Sequence, residues 1–424
     1  MAGVVALVSG SITAVSSVAP LVPTPPVTPV PLEPLKAAAL LMESGHLDDS
    51  DNLQMHFLFA LLAMERKDYE AVILHLRRIL ADEPSNVRAR LELGRTYFLK
   101  GDYQNADRQF RFARAGNLPP AVNANVEVYL RQIRLLKRFS YGFSIAIAPD
   151  TNLNAGPAID SVSLYGIPFQ LDDSAKRKSG VGLAIQGEAE WTFKVAQKVR
   201  VRVGAQISRS QYRQSDFNDM TAIAYAGPRL SLKRWDFDAA FIGQKRWYGD
   251  RTYLDAYGGR MALTHYISGK TALFSNVSLL RQSYPRNTYQ NGMLASVSAG
   301  FAHTPTTSSV VQGGITYARQ DARLATFANR SEQFSLSYTR EFRGGLTVAV
   351  TPSIAVIDYD ARLQAFDRVR RDRQVSVSTS ILKRRIDFYG LSPRVIYTYT
   401  ANVSNINLYS LRRNRFEIGF ARIF

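Results

Sequence analysis

Cysteine is absent from the 424 residues, which removes disulfides, thiolate metal sites and cysteine nucleophiles together. Histidine is scarce. The five residues are His46, His56, His75, His265 and His303, and no two have the i, i+4 spacing of a helical zinc motif, so no metal or other cofactor is expected. Past the N-terminal end no stretch approaches the roughly 20 apolar residues a spanning helix needs, and the mean hydropathy is −0.14. There is no G-x-S-x-G elbow, no phosphate-binding glycine loop and no H-E-x-x-H helix. Asp358 and Asp360 form a carboxylate pair, read as solvated acids of a loop. An enzyme is therefore not expected, and either a soluble protein or a β-barrel remains open.

Acidic residues are in short supply over part of the chain. Lys and Arg number 53 against 35 Asp and Glu, a formal charge of +18. Through Lys137 the balance is only +1, and from Arg138 onward it is +17. The basic portion is the C-terminal one, so its candidate partners are anions: nucleic acid, acidic polysaccharide or the phosphates of a membrane surface.

At the start, Gly3 to Ala19 is small and apolar without a charge, which reads as a secretory signal over residues 1–19. Residues 20–34 hold seven prolines, and a stiff extended leader is expected there.

Residues 35–137 are read as a helical domain built on a repeat. Lys67-Asp68-Tyr69 returns as Gly101-Asp102-Tyr103, 34 residues later. The second copy runs Leu93-Gly94-x-x-Tyr97, Gly101-Asp102-Tyr103-x-x-Ala106, Phe110, Ala113 and Pro119. This resembles the tetratricopeptide repeat, in which small residues such as Gly94 and Ala106 let two helices touch, while Tyr97, Tyr103 and Phe110 fill the space between repeats. Helices near Leu35 to Ser44 and Ala121 to Lys137 are expected to cap the stack. The first helix of each repeat would line a concave groove holding Gln54, Phe57 and Leu61, then Arg88, Leu91, Arg95 and Phe98. Of these, Gln54, Phe57, Arg88, Arg95 and Phe98 are the candidate cargo contacts. For Leu61, Leu91 and Phe98, packing between helices is an equal reading.

After Arg138 the apolar period changes from helical to strict alternation. Phe334, Leu336, Tyr338 and Phe342 alternate with polar neighbours, as do Val375, Val377 and Ile381, and Val199, Val201, Val203 and Ile207. The runs reach about 10 to 14 residues, longer than ordinary strands and suited to a tilted membrane crossing. Tight turns at Ala196-Gln197, Lys233-Arg234, Ser268-Gly269, Pro305-Thr306, Gly344-Gly345 and Arg384-Arg385 alternate with mostly longer connections, among them Asp358 to Asp367. Residues 138–424 are thus predicted to form an antiparallel up-and-down outer-membrane barrel of about 14 strands, with the helical domain in the periplasm. Trp191, Trp235, Trp247, Tyr248, Tyr253, Tyr266, Tyr284, Tyr397 and Tyr399 are read as interfacial girdles. Phe420 and the terminal Phe424 resemble the signal by which bacterial barrels are recognised for insertion, with Arg422 a departure on that face.

The positive charge has two readings. Rim and loop arginines meet the phosphates of outer-membrane lipid and glycolipid, or inward-facing Arg200 and Arg202 line a path through the lumen for acidic cargo. Nucleic acid is not expected as a partner, because no recognition helix or aromatic binding sheet is found.

The order of parts, together with Ala148-Pro149-Asp150-Thr151-Asn152-Leu153-Asn154, resembles the surface lipoprotein assembly modifier family and its Pro-Asp-x-Asn-x-Asn signature. The resemblance implies delivery of lipoproteins from periplasm to cell surface. Surface lipoprotein cargo, the barrel assembly machinery and periplasmic chaperones are the partners it implies, and Pro149, Asp150, Asn152 and Asn154 are its candidate determinants. The physical alternative for that run is loop capping, since Asp and Asn readily bond their own backbone. The rival to the family's function is an exopolysaccharide exporter, which also joins helical repeats to a barrel.

Overall fold

The computed structural model describes residues 53–136, 138–196, 198–232, 234–386, 388 and 391–422. The expected signal (1–19), the proline leader (20–34), the helix near Leu35 to Ser44 and Phe424 lie outside the described residues.

Five helices come first: α1 (Leu53–Glu65), α2 (Tyr69–Asp82), α3 (Val87–Lys100), α4 (Tyr103–Arg114) and α5 (Pro120–Leu136). Their boundaries follow from local chemistry. Asp68, Asn86 and Asp102 stand at N-caps, each accepting a bond from the backbone N–H three residues on, which satisfies a donor the helix cannot. Gly101 ends α3 at φ 84°, a left-handed conformation that costs glycine nothing. The helices pack around Val72, Leu76, Ile79, Leu93, Tyr97, Phe110, Val126, Leu130 and Ile133. Gly94 faces the Phe110 ring so closely that a Cβ would stand 3.0 Å from its edge. That close crossing is what the repeat pattern predicts for a small residue there.

A closed antiparallel barrel follows, made of fourteen strands. They are β1 (Phe139–Asp150), β4 (Gly180–Lys194), β5 (Val199–Tyr212), β6 (Asp219–Ser231), β7 (Trp235–Tyr248), β8 (Arg251–Tyr266), β9 (Thr271–Ser283), β10 (Gly292–Thr306), β11 (Ser309–Gln320), β12 (Asn329–Phe342), β13 (Leu346–Leu363), β14 (Arg368–Lys383), β15 (Leu391–Ser404) and β16 (Leu411–Arg422). A small hairpin, β2 (Ser161–Leu164) and β3 (Ile167–Gln170), stands apart in the first far-side connection. Each strand pairs with its sequence neighbour, and β1 closes on β16. Closure matters because no described helix is long and apolar enough to cross a membrane, and in lipid only a sheet without edges satisfies every backbone polar group.

The alternation read from sequence is the wall itself. Phe334, Leu336, Val203, Ile207, Val277, Ile354 and Ile418 point outward and exposed, while Arg200, Arg202, Ala355 and Ile357 on the same strands are buried toward the inside. Outward apolar surface on this scale belongs against acyl chains.

Several details differ from expectation. The tight turn placed at Pro305-Thr306 falls two residues later, because β10 runs to Thr306. The connection at Asp358 to Asp367 shrinks to residues 364–367, because β13 pairs with β14 as far as Leu363 opposite Arg368. Asp358 and Asp360 therefore stand on a strand, where Arg330 and Arg319 neutralise them. Tyr284 is not a lipid-facing girdle residue. It is 8% exposed, and its hydroxyl bonds Gln282 and Gln320. Arg422 lays its guanidinium over the Tyr141 ring, 4.5 Å from the centroid, which gives a charge on the apolar edge an aromatic face to rest on.

Candidate functional site

The helices sit on one mouth of the barrel, and one buried ion cluster joins the two parts. Glu341, the penultimate residue of β12, accepts Arg90 Nη2 at 2.6 Å, Arg108 Nη2 at 2.9 Å and Arg384 Nη1 at 3.0 Å. Arg90 and the Glu341 side chain are 0% and 1% exposed. Arg90 also donates to the Pro84 carbonyl and to Gln109, and it stacks on Phe112. Burial pulls the Arg90 guanidinium below its ordinary value, and Glu341 opposes that pull. A buried charge is tolerated only when it is paired and fully hydrogen-bonded. Arg90 and Glu341 meet that condition here, whereas Arg384 reaches Glu341 through Nη1 and keeps its Nε and Nη2 buried without a hydrogen-bond partner among the described residues.

Further contacts spread the junction around the rim. Thr307 reaches the Ser85 carbonyl, Arg111 lies over the Tyr266 ring, and the Arg114 guanidinium fills the space beside Gly269 in the β8–β9 turn. The contacts run along the rim from Tyr266 at the end of β8 to Arg384 just past β14.

Buried polar residues inside the barrel fall into two belts. At the helix end are Arg200, Arg202, Arg229, Asp236, Asp238, Ser309, Thr347 and Ser392. Arg202 bonds Glu190 at 2.7 Å and pairs closely with Asp238, which also holds Arg229. Arg200 and Arg202 thus face inward as the strand register requires, but Arg202 is spent on a fixed ion network. At the far end are Asp150, Asn152, Asn218, Gln282, Asn329, Arg370, Asp372, Asn402 and Ser404. Between the belts, inward Gln206, Ser208, Ser296 and Ser376 are less buried, so the middle of the lumen is polar and wetter than its ends.

The Pro149–Asn154 run lies at the far end, where β1 meets β16. Asp150 holds Arg413, whose Nε at 2.9 Å and Nη2 at 2.5 Å both donate to Oδ2, with Nε also 3.1 Å from Oδ1. The Thr151 N–H donates to the Asn414 carbonyl at 3.0 Å, and the Asn414 N–H returns a bond to Thr151 Oγ1 at 2.9 Å. Asn152, 0% exposed, receives the Gly156 N–H on its Oδ1 and donates through Nδ2 to the Gly156 and Arg412 carbonyls. Asn154 ties the loop to the Lys176 carbonyl and the Lys178 N–H. Loop capping is therefore real for Asn152 and Asn154, while Asp150, Thr151 and Asn152 also cross to the last strand. Sequence reasoning missed Arg413 and Asn414, which lie 263 residues from their partners.

The expected groove residues share one side of the helical domain only in part. Arg88 stacks on Phe57, 4.3 Å from the ring centroid. Arg95 lies near Glu92 at 3.7 Å, and Phe98 packs edge-on against Tyr103 and Tyr129. Of the two readings left open for Phe98, packing is the one its contacts favour. Gln54 is exposed at the start of α1. His56 and His75, not picked out from sequence, bring their Nδ1 atoms to 3.0 Å, and burial followed by the neighbouring His56 holds His75 below its ordinary value. Among the described residues no three His, Cys, Asp or Glu side chains gather as a metal site.

A closed strand cylinder with an apolar outer wall, a polar lumen and helices seated on one mouth defines an outer-membrane β-barrel protein with a periplasmic helical domain. Within that class, the model of the family described as surface lipoprotein assembly modifier matches residues 139–424, and the chain belongs to that family. Among similar proteins, the surface lipoprotein assembly modifier of Moraxella catarrhalis is 23% identical, covering 89% of this chain and 74% of its own length. Surface lipoprotein assembly modifier 1 of Neisseria meningitidis serogroup B is 22% identical, covering 89% and 78%. The hemophilin secretion modulator of Acinetobacter baumannii is 22% identical, covering 78% and 71%. Among solved structures, the outer membrane channel DcaP of Acinetobacter baumannii aligns over 68% of this chain and 98% of its own, with a TM-score of 0.39 and 9% identity.

Proposed function

We propose that this chain delivers lipoproteins from the periplasm to the cell surface, with the helical domain receiving cargo at the barrel mouth and the barrel providing the crossing. The observation that carries this reading is the family match across the whole barrel, joined to a helical domain locked onto the periplasmic rim through Arg90 and Glu341. Relatives bearing the surface lipoprotein assembly modifier name cover nearly nine-tenths of the chain, helices included. Family membership also weighs against the exopolysaccharide exporter. Arg88 over Phe57, with Gln54 beside it on α1, is the groove segment best placed to hold an extended cargo peptide. The barrel assembly machinery and periplasmic chaperones are proposed helpers in insertion and in keeping cargo unfolded.

The test is co-expression with a lipoprotein encoded beside this chain, followed by protease treatment of intact cells. The expected result is cleavage of the lipoprotein only when the chain is present. Equal cleavage with and without it, together with loss of surface polysaccharide on deletion, would favour the exporter.

A further inference from the structure

The ion cluster at the junction leaves positive charge that its one carboxylate does not match. Glu341 gives Oε2 to Arg90 and Oε1 to both Arg108 and Arg384. Three guanidinium groups thus share its two oxygens, and Arg384 still holds Nε and Nη2 buried without a hydrogen-bond partner among the described residues. Burial pushes the Arg384 guanidinium down to about 10; Glu341 opposes that, and Arg108, Arg90 and Arg77 add to it. Buried N–H groups of a cation set among other cations cost free energy until an acceptor meets them.

The side chain that carries those N–H groups lines a cavity of about 40 Å³ between the helices and the barrel mouth. Arg77 of α2, Arg108 of α4 and Arg385 line it too, with Asn105 and Ser392 as neutral polar neighbours, and among the described residues no carboxylate does so. Tight turns fix this arrangement. Gly345 ends the β12–β13 turn, on which α2 packs, at φ 69°, and a Cβ there would stand 2.9 Å from the Arg385 nitrogen. The Arg384 N–H donates to the Gly345 carbonyl at 2.7 Å, so the turn bearing Arg384 and Arg385 is held against the one that α2 covers.

A water needs roughly 10–15 Å³ of cavity, so about three or four fit here, as many as the oxygens of one tetrahedral oxyanion. Guanidinium forks match the geometry of such an anion better than any other side chain. The cavity lies over the lumen mouth and away from the lipid wall, since Glu341 and Ser392 are buried on the inward side of their strands while Phe342 and Phe420 are exposed on the outward side. That placement favours a free anion of the periplasm over the phosphate of a membrane lipid.

We propose that this cavity is a binding site for a small tetrahedral oxyanion, phosphate or sulfate, held by Arg77, Arg108, Arg384 and Arg385, and that the bound anion locks the helical domain onto the barrel. The site goes beyond the delivery function and does not depend on it. Arg77 and Arg108 belong to the helices, whereas Arg384 and Arg385 belong to the barrel. The site is therefore complete only in the docked arrangement, and an anion that binds there stabilises docking by mass action.

The test uses the full-length protein in dodecyl maltoside micelles, which carry no phosphate, after dialysis into chloride. Backbone hydrogen exchange in α2 and α4 is followed as inorganic phosphate replaces chloride at constant ionic strength, so that screening stays the same. Exchange is expected to slow about tenfold once phosphate exceeds its dissociation constant about tenfold, and sulfate is expected to act alike. Arg384→Gln is expected to abolish the response, and Arg340→Gln, at an exposed arginine of β12, to retain it. Calorimetric titration of the unmodified protein with phosphate is expected to show saturable binding, a readout that no misfolded variant can confuse. Absence of that binding, exchange that stays the same in phosphate and chloride, or a response that survives in Arg384→Gln overturns the proposal. Slowing that requires added phosphatidylglycerol and is not produced by inorganic phosphate overturns it as well, in favour of a lipid headgroup.

Discussion

Replacing Glu341 with Gln tests whether the helical domain is held on the barrel by charge. The carboxylate serves three guanidinium groups, but they do not count equally. Arg108 and Arg384 are 24% and 18% exposed at the side chain, so water absorbs part of their loss. Arg90 is fully buried. Leaving one buried charge uncompensated costs about 3–5 kcal/mol. Gln keeps one acceptor, which places the expected loss near the lower end, or roughly a hundredfold in the ratio of docked to undocked domain at about 1.4 kcal/mol per decade.

The cost falls on the junction, because Glu341 and Arg90 belong to different parts of the fold. Backbone hydrogen exchange should therefore rise in α2, α3 and α4, while the barrel keeps its resistance to unfolding in detergent. Replacing the pair together, Arg90→Met with Glu341→Leu, should recover most of the loss, since the isolated charge is then gone. Unchanged exchange in Glu341→Gln, or a barrel that loosens along with the helices, would refute the reasoning.

Other consequences follow from the same geometry. Gly94→Ala pushes a methyl to 3.0 Å from the Phe110 ring, and overpacking of this kind costs about 1–3 kcal/mol, seen as a lower melting temperature of the helical circular-dichroism signal. Asn152→Ala strips three hydrogen bonds from a buried turn and should cost about 1–3 kcal/mol, read as a lower temperature for conversion from the folded to the unfolded gel band; no change would mean that the turn does not need its side chain. Burial and His56 lower the His75 value, so the unfolded state takes up the proton first. Helical-domain stability should be full above about pH 6.5, the ordinary histidine value, and fall as pH drops through the lowered native value. His75→Asn should flatten that profile in a melt series from pH 7.5 to 5.

The barrel was legible because its signal is a period. Each strand repeats the inside-outside alternation, so an error at one position is outvoted by the rest, and fourteen crossings emerge without any knowledge of partners. The helical repeat was legible for a similar reason, as Asp68-Tyr69 returns at Asp102-Tyr103 and Ala60 has its counterpart in Gly94, although Val72 stands where the second copy has the small Ala106. What stayed hidden was pairing at long range. Asp150 and Asn152 stood out as turn formers, yet nothing local points to Arg413 or to the Arg412 carbonyl. Glu341 reads as one polar residue among the alternating ones until Arg90, 251 residues away, is brought onto it. Strand ends misled for a different reason. Asp358 and Asp360 looked like loop acids because charge usually marks a loop, whereas Arg319 and Arg330 on neighbouring strands let the sheet continue past them. Tyr284 looked like a membrane anchor because position along a strand was legible, while the side on which a residue near the rim finally points was not.

The most direct trial of the whole account uses the purified chain in liposomes, with a lipoprotein presented on the side of the helical domain and protease added to the other. The account predicts that the lipoprotein becomes cleavable there when the chain is present and stays protected in liposomes holding an unrelated barrel. Protection that persists with the chain inserted and folded would contradict it.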